Sequence, residues 1–536
     1  MSSSEVVYRN AKVFTGDASA PWASAVVTSG DRIVAVGDDD VGANPGSGTT
    51  VLDLGGAFVL PGITDAHFHT LSAGEAIDRA NLVHARDLGE IQRIIRTWAD
   101  ANPGSPWVRG GGWLHSSIPS GTPTRQMLDE VVADRPVYAE ANDIHSAWVN
   151  TRGLQLLSIT RETQDPAGGE IVRDGDGEPT GELKETALLK VWEYFESLSS
   201  DEQRDGQLRA VLDAIAASGI TSVVDMGLSL AELEAMARAE RAGTLTARIR
   251  AHVLLREDRD PLEQIDEAAA WASEYTSPWL RVVGVKVISD GVIDACTAAM
   301  LRPYANGLLP PPIWEPAVLR PTVAAADAAG LQIAIHAIGD AAVRNSLDAF
   351  EDAARANGTS GRRHRIEHIE YLDPADVPRF GALGVTASMQ PVHADPAVRP
   401  NWAAMLGDGR ADRGFAWPEL AASTTLAFGT DAPTAPLEAL PNLHVAVTRR
   451  SSLEPDAWEP EQAHFALPLD AALRHMTLDA AWSCFDEGER GSLEPGKLAD
   501  LVVLDRDPFT EGPASLLETH VVRTVVGGRV VHESLL

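Results

Sequence analysis

Cysteine is nearly absent: Cys296 and Cys484 are the only two in 536 residues. They lie far apart, form no CxxC or CxxH arrangement and cannot build a disulfide framework, so the simpler expectation is a reducing, cytoplasmic compartment. The chain also lacks any run of about 18 consecutive apolar residues, which leaves no candidate membrane-spanning helix. Its first residues, Met1-Ser2-Ser3-Ser4-Glu5, carry neither the basic nor the apolar region of a secretory leader. Positive charge is scarce as well, with 44 Lys and Arg against 77 Asp and Glu, a net −33 spread along the whole chain. Such a field repels nucleic acid and anionic membranes and reads as a solubility adaptation. The expected partner is therefore a small-molecule substrate, with no nucleic acid and no membrane; a homo-oligomer is compatible with the sequence. What the chain does have is an ordinary globular composition, 44% hydrophobic and 23% charged. At 536 residues it exceeds the size at which one core stops growing, which predicts a large domain plus a satellite.

The first sixty residues read as short strands, Val6–Tyr8, Ala11–Phe14, Ala25–Val27 and Arg32–Val36, separated by Gly, Asp and Ser turns. Matching material recurs only at the other end, in Ala499–Leu504 and Val521–Val531. The two termini, 1–60 and 486–536, are accordingly expected to pair in one small β-sandwich domain. Between them, over 61–485, β-branched runs alternate with Ala/Leu/Glu-rich helical stretches, the signature of βα units around a parallel sheet. Eight such runs can be counted: Ile63–His69, Ile220–Val224, Ile249–Leu254, Val282–Ile288, Leu331–His336, Arg365–His368, Val385–Met389 and Thr425–Asp431. Eight is the number a (β/α)8 TIM barrel needs. The count treats 70–219 as a large insertion after the first strand, although strand-like pieces occur within it at Trp107–Gly110 and Pro136–Ala139. An insertion there sits over the catalytic face, as a lid or substrate-shaping region.

Chemistry gathers at the strand ends. Asp65-Ala66-His67-Phe68-His69 follows the apolar run Phe58–Ile63, and alternate residues of a strand face one way, so His67 and His69 would present two imidazoles suited to a divalent transition ion. Alone this pattern is weak. Lys286, His336, His368 and Asp431 fall at the C-terminal ends of the fourth, fifth, sixth and eighth predicted strands, and in a barrel all such ends converge on one face. A lysine inside the apolar run Val282–Ile288 would be costly as an unpaired ammonium; burial favours the neutral amine, which can react with carbon dioxide to form an anionic, bidentate carbamate.

With these residues in place the chain resembles the amidohydrolase superfamily, whose pattern is His-x-His on strand one, lysine on strand four, histidines on strands five and six and aspartate on strand eight. More narrowly it resembles the branch of YtcJ-like proteins and N-substituted formamide deformylases. That likeness rests on Gly284-Val285-Lys286 with Asp290-Gly291, His336–Asp340, Arg365–His368, Gln390–His393, Gly429–Pro433 and the tail Gly491–Asp505. The resemblance implies two divalent metal ions, with zinc the expected species. One would be held by His67, His69, carbamylated Lys286 and Asp431, the other by the carbamate, His336 and His368. It further implies attack by a metal-bridging hydroxide, with Asp431 as general base, on a non-peptide C–N (amide) bond of a small molecule such as an N-substituted formamide.

Around this centre, His393 after strand seven, His145 and Trp113 are the candidate substrate contacts; the last two lie in lid-like stretches, Gly110–His115 and Asn142–Trp148, that mix glycines, aromatics and histidines. Trp113 serves equally as a packing anchor. Asp290 is either an orienting carboxylate or a turn residue, and Asp340 either favours a helix start or joins the site. Cys296, in Asp294-Ala295-Cys296-Thr297, stands where relatives carry small or basic residues, and no role is assigned to it. Two other readings stay open: a mononuclear aminohydrolase (deaminase) on the same barrel, for which Lys286 would be unnecessary, and a non-catalytic scaffold, which would be expected to have lost ligands.

Overall fold

Eight short parallel strands form one sheet in sequence order. They are β1 (Ile63–Phe68), β2 (Ile220–Leu228), β3 (Arg248–Leu254), β4 (Leu280–Ile288), β5 (Gln332–Ala337), β6 (Arg365–His368), β7 (Thr386–Met389) and β8 (Leu426–Phe428). The structure is a computed structural model that describes residues 5–42, 48–118, 122–142, 145–166, 168–358, 361–407 and 409–534. Met1–Ser4, read above for a leader, and Asp143 and Ile144 of the lid-like stretch lie outside the described residues. Each strand is buried on both faces, as expected of β-branched runs covered by crossover helices. The ring closes beyond β8: the Asp431 amide donates to the His67 carbonyl at 2.8 Å and the His69 amide to Ala432 at 3.1 Å. Asp65 fastens the same seam, accepting from the Thr430 amide at 3.0 Å and its hydroxyl at 2.6 Å. Gly429 is required here, because a Cβ would lie 2.3 Å from the His67 amide nitrogen. The fold is thus the expected mixed α/β barrel with additional sheets.

Helices begin where their caps predict. Ser200 and Gln203 form a capping box on Asp201–Ala217, and Ser229 and Glu232 form another on Leu230–Arg241. Asp260 accepts from two amides at the start of Pro261–Glu274, whose proline occupies a position needing no donor.

Both chain ends meet in one six-stranded sheet, ordered Arg529–Glu533, Val521–Val526, Leu501–Leu504, Phe58–Pro61, Lys12–Phe14, Trp22–Ala23. A four-stranded sheet of N-terminal segments (Arg32–Gly37, Ala25–Ser29, Glu5–Arg9, Thr50–Asp53) shares its core, in which Tyr8, Val26 and Ile33 pack with Val13, Val59 and Val503. Phe58–Pro61, read in the sequence only as an apolar approach to the histidines, is a strand of this sheet and runs directly into β1. The insertion builds a sheet of its own: Gly169–Arg173, Pro179–Glu185, Ser146–Val149, Val137–Ala141, Val108–Trp113, Ala80–Asn81. Ion pairs tie it to the barrel loops, Arg86 to Glu454 at 2.6 Å and Glu193 to Arg256 at 2.6 Å.

Candidate metal centre

Two details of backbone geometry differ from simple strand alternation. β1 ends at Phe68, so His69 is not a strand residue; it caps the helix Thr70–Ile77 with φ −121°. His368 closes β6 at φ +74° and Asp431 lies three residues past β8 at φ +62°, both left-handed conformations that non-glycine residues hold only when the surroundings enforce them. These turns gather the side chains. His67 Nε2 lies 3.3 Å and His69 Nε2 3.2 Å from Asp431 Oδ1. The Lys286 amine is 3.4 Å from His67 Nε2. Ring centres of His67 and His368 are 4.6 Å apart, and those of His336 and His368 4.4 Å.

Partners on the outer side of each ring decide which nitrogen faces inward. His67 Nδ1 donates to Glu367 Oε2 at 2.8 Å, leaving the lone pair on Nε2. Gln390 Oε1 sits 3.0 Å from His368 Nδ1 and the Gly291 carbonyl 3.4 Å from His336 Nε2, leaving Nε2 and Nδ1 respectively. Asp431 Oδ1 is buried without a hydrogen-bond donor although imidazole nitrogens stand close to it. The His67 lone pair and a carboxylate oxygen facing each other in a dry site repel unless a cation lies between them. Ligand atoms of His67, His368 and Asp431 fall within 4.8 Å of one another, so the donor set fits a divalent metal.

Electrostatics agree with that reading. Burial, with the Lys286 charge, pushes His67 down to about 4. Burial also holds His336 and His368 well below the ordinary imidazole range, reinforced by neighbouring imidazoles. Metal ligation needs these neutral rings. Burial brings Lys286 down to about 8, against the pull of Glu367 and Asp431.

The remaining predicted contacts have separate fates. His393 stacks parallel to His368 at 6.0 Å, with Nε2 3.6 Å from Asp431 Oδ2 and Nδ1 3.5 Å from Glu370 Oε1. His145 enters from the insertion, its ring 5.2 Å from that of His336 and its Nδ1 2.7 Å from Glu185 Oε2. Trp113 borders the cavity but is fully buried in the insertion's core, where its indole donates to the Ala139 carbonyl at 2.9 Å. Asp290 accepts from the amides of Ala299, Ile338 and Gly339 at 2.9–3.0 Å, fixing the loops after β4 and β5. Asp340 accepts from the Leu301 amide at 2.7 Å. Cys296 and Cys484 are free and buried.

Four contributors carried no role in the sequence reading: Glu367, Gln390, Glu370 and Glu185. Glu367 belongs to a buried chain in which Arg365 Nε meets its Oε1 at 2.8 Å, and Glu370 is pinned by the Trp402 indole at 2.7 Å. The one available signal was two carboxylates, at 367 and 370, flanking a histidine at a predicted strand end.

Comparison with known proteins follows the same line. The profile of the amidohydrolase family matches residues 50–532. Protein LONG AFTER FAR-RED 3 of Arabidopsis thaliana is 30% identical over 550 residues, spanning 98% of this chain and 91% of its own. The N-substituted formamide deformylase of Arthrobacter pascens is 29% identical over 542 residues, spanning 98% of this chain and 97% of its own. Among solved structures, an uncharacterized metal-dependent hydrolase from Pyrococcus horikoshii OT3 superposes with a TM-score of 0.77 at 25% identity, covering 95% of this chain and 99% of that one. The chain belongs to the amidohydrolase family, as a metal-dependent hydrolase.

Proposed function

We propose that this amidohydrolase cleaves the amide bond of an N-substituted formamide or a closely related small-molecule amide, releasing a carboxylate and an amine. The observation that carries the reading is the inward lone pair of His67 facing Asp431 Oδ1 at 3.3 Å beside a buried Lys286. In this reading His67, His69, Lys286 and Asp431 would hold one divalent ion, and Lys286, His336 and His368 would hold a second, zinc being the expected metal. Bound metal would lower the pKa of water towards neutrality and polarise the substrate carbonyl. Lys286 would serve both ions only as its carbamate, formed when the neutral amine adds carbon dioxide and releases a proton; burial, by bringing the amine down to about 8, raises the neutral fraction that can react. Asp431 takes the proton of the attacking water and returns it to the leaving nitrogen. His393, beside Asp431 Oδ2, donates to the developing oxyanion. Glu370 holds its ring from behind. His145 reaches the same cavity from the insertion, beside His336.

Metal analysis together with a turnover screen tests this. The expected result is about two ions per chain and hydrolysis of N-substituted formamides in a panel that also holds N-acyl amines, lactams and cyclic imides. One ion per chain with ammonia release would instead support a mononuclear aminohydrolase. Lys286→Ala should drop to one ion or fewer and lose most activity; near-normal turnover in that variant would sink the two-metal reading.

A further inference from the structure

Between barrel and insertion the centre opens into a cavity of about 910 Å3. That volume exceeds what a formamide of a small amine would fill, and its wall includes the aromatic side chains of Trp192, Phe195 and Trp271. Charge on the wall is lopsided: ten acidic side chains against six basic ones. The basic ones are already matched. Arg79 meets Glu140 at 2.8 Å, Arg256 meets Glu193 at 2.6 Å, and Arg109 meets Glu75. Arg259 bonds Glu267 at 3.0 Å, Arg204 reaches Asp201 at 3.6 Å, and Lys286 lies inside the centre itself.

Some carboxylates have no such match. Glu257, half-buried in the loop after β3, makes no ion pair among the described residues; it feels the like charge of Asp258 and the opposite charge of Arg256, whose guanidinium is bonded to Glu193 and Asp258. Glu185 gives one oxygen to His145, while its other oxygen is buried without a donor. A carboxylate at the end of a ligand remote from the metal centre would shed water, find no Arg or Lys without an acidic partner and meet negative charge. An ammonium would find Glu257 and the indoles of Trp192 and Trp271, the Phe195 ring being already covered by Arg109.

We propose that the substrate is a bulky amide whose amine side is apolar and either neutral or positively charged, and that the cavity excludes amides bearing a carboxylate. The proposal rests on the amide-hydrolase reading above and narrows its substrate class.

Three formamides of matched length test it on the zinc-loaded protein: N-hexylformamide, N-formyl-1,5-diaminopentane and N-formyl-6-aminohexanoate. Dissociation constants are read by calorimetry at low salt, with amine release followed in parallel. The carboxylate should bind at least about tenfold more weakly than the hexyl compound, and the ammonium at least as tightly. Raising the salt should shrink that difference. Glu257→Gln should weaken the ammonium compound about three- to tenfold and leave the hexyl compound within about twofold. Carboxylate affinity within about twofold of hexyl, an ammonium affinity indifferent to Glu257→Gln, or millimolar binding by none of the three would overturn the proposal. The expected charge order without hydrolysis of any compound would overturn the formamide reading and leave the charge rule standing.

Discussion

At His67 the nitrogen turned toward the centre is chosen by Glu367, because an Nδ1–H held 2.8 Å from a carboxylate leaves the lone pair on Nε2. Glu367 keeps its charge in a fully buried position because Arg365 and His67 both offset the cost of burial. A glutamine there could present its amide nitrogen to the ring and release the other tautomer. Glu367→Gln is therefore expected to lower metal affinity about 10–100-fold, measured by competition with a chelator, while leaving the circular dichroism spectrum unchanged. Glu367→Ala should in addition destabilise the fold by about 3–5 kcal/mol in urea, since it leaves the Arg365 guanidinium buried without its carboxylate. Unaltered chelator competition in both variants would show that the ring needs no such support.

Elements of the barrel were legible because each strand is a self-contained message: a β-branched run buried on both faces, bounded by turn residues. Predicted and observed ends agree within about two residues for six of the eight strands. At β2 the run Ile220–Val224 extends to Leu228, and at β8 the predicted Thr425–Asp431 shrinks to Leu426–Phe428. The shrinkage has a cause, since Gly429 to Asp431 leave the strand to make the seam with β1. Candidate ligands were legible for the same reason, as polar residues ending apolar runs. Their supporting partners were not: Glu367 reaches His67 across 300 positions of sequence, and spacing carries no trace of such a contact. The insertion was hardest to read. Pro179–Glu185, with Pro, Gly and three charged side chains in seven residues, gives no alternation, yet it pairs on both sides. What holds that sheet is local, above all Asn150. Its side chain accepts from the amides of Val137 and Gly153 at 3.0 and 2.8 Å and donates to the carbonyls of Val132 and Arg135 at 2.8 and 2.9 Å. Asn150→Ala should cost about 2–4 kcal/mol and loosen the insertion first. Hydrogen exchange should accelerate across Val137–Val149 while the strands β4 to β6 keep their protection and metal content stays the same.

For the molecule as a whole the telling connection is that the strand Phe58–Pro61, held between Lys12–Phe14 and Leu501–Leu504, leads without a loop into the strand that carries His67. Terminal sheets and barrel therefore share a rigid segment instead of a linker. A buried ion pair welds the same junction. Asp500, beside Leu501–Leu504, receives Arg248 of β3 at 2.9 and 3.1 Å and the Gly527 amide at 2.7 Å, and the two charged side chains are 3% and 2% exposed. A pair this dry adds little as a replacement for apolar packing, but breaking it strands a guanidinium. Asp500→Ala should accordingly destabilise by about 3–5 kcal/mol, more than Asp500→Asn, which keeps an acceptor for Gly527. Because Phe58–Pro61 transmits the loss to β1, tryptophan fluorescence, circular dichroism and release of bound metal should shift together along the urea axis in one transition. Separate melting of the terminal strands, with metal retained until a second transition, would show instead that the centre stands on the barrel alone.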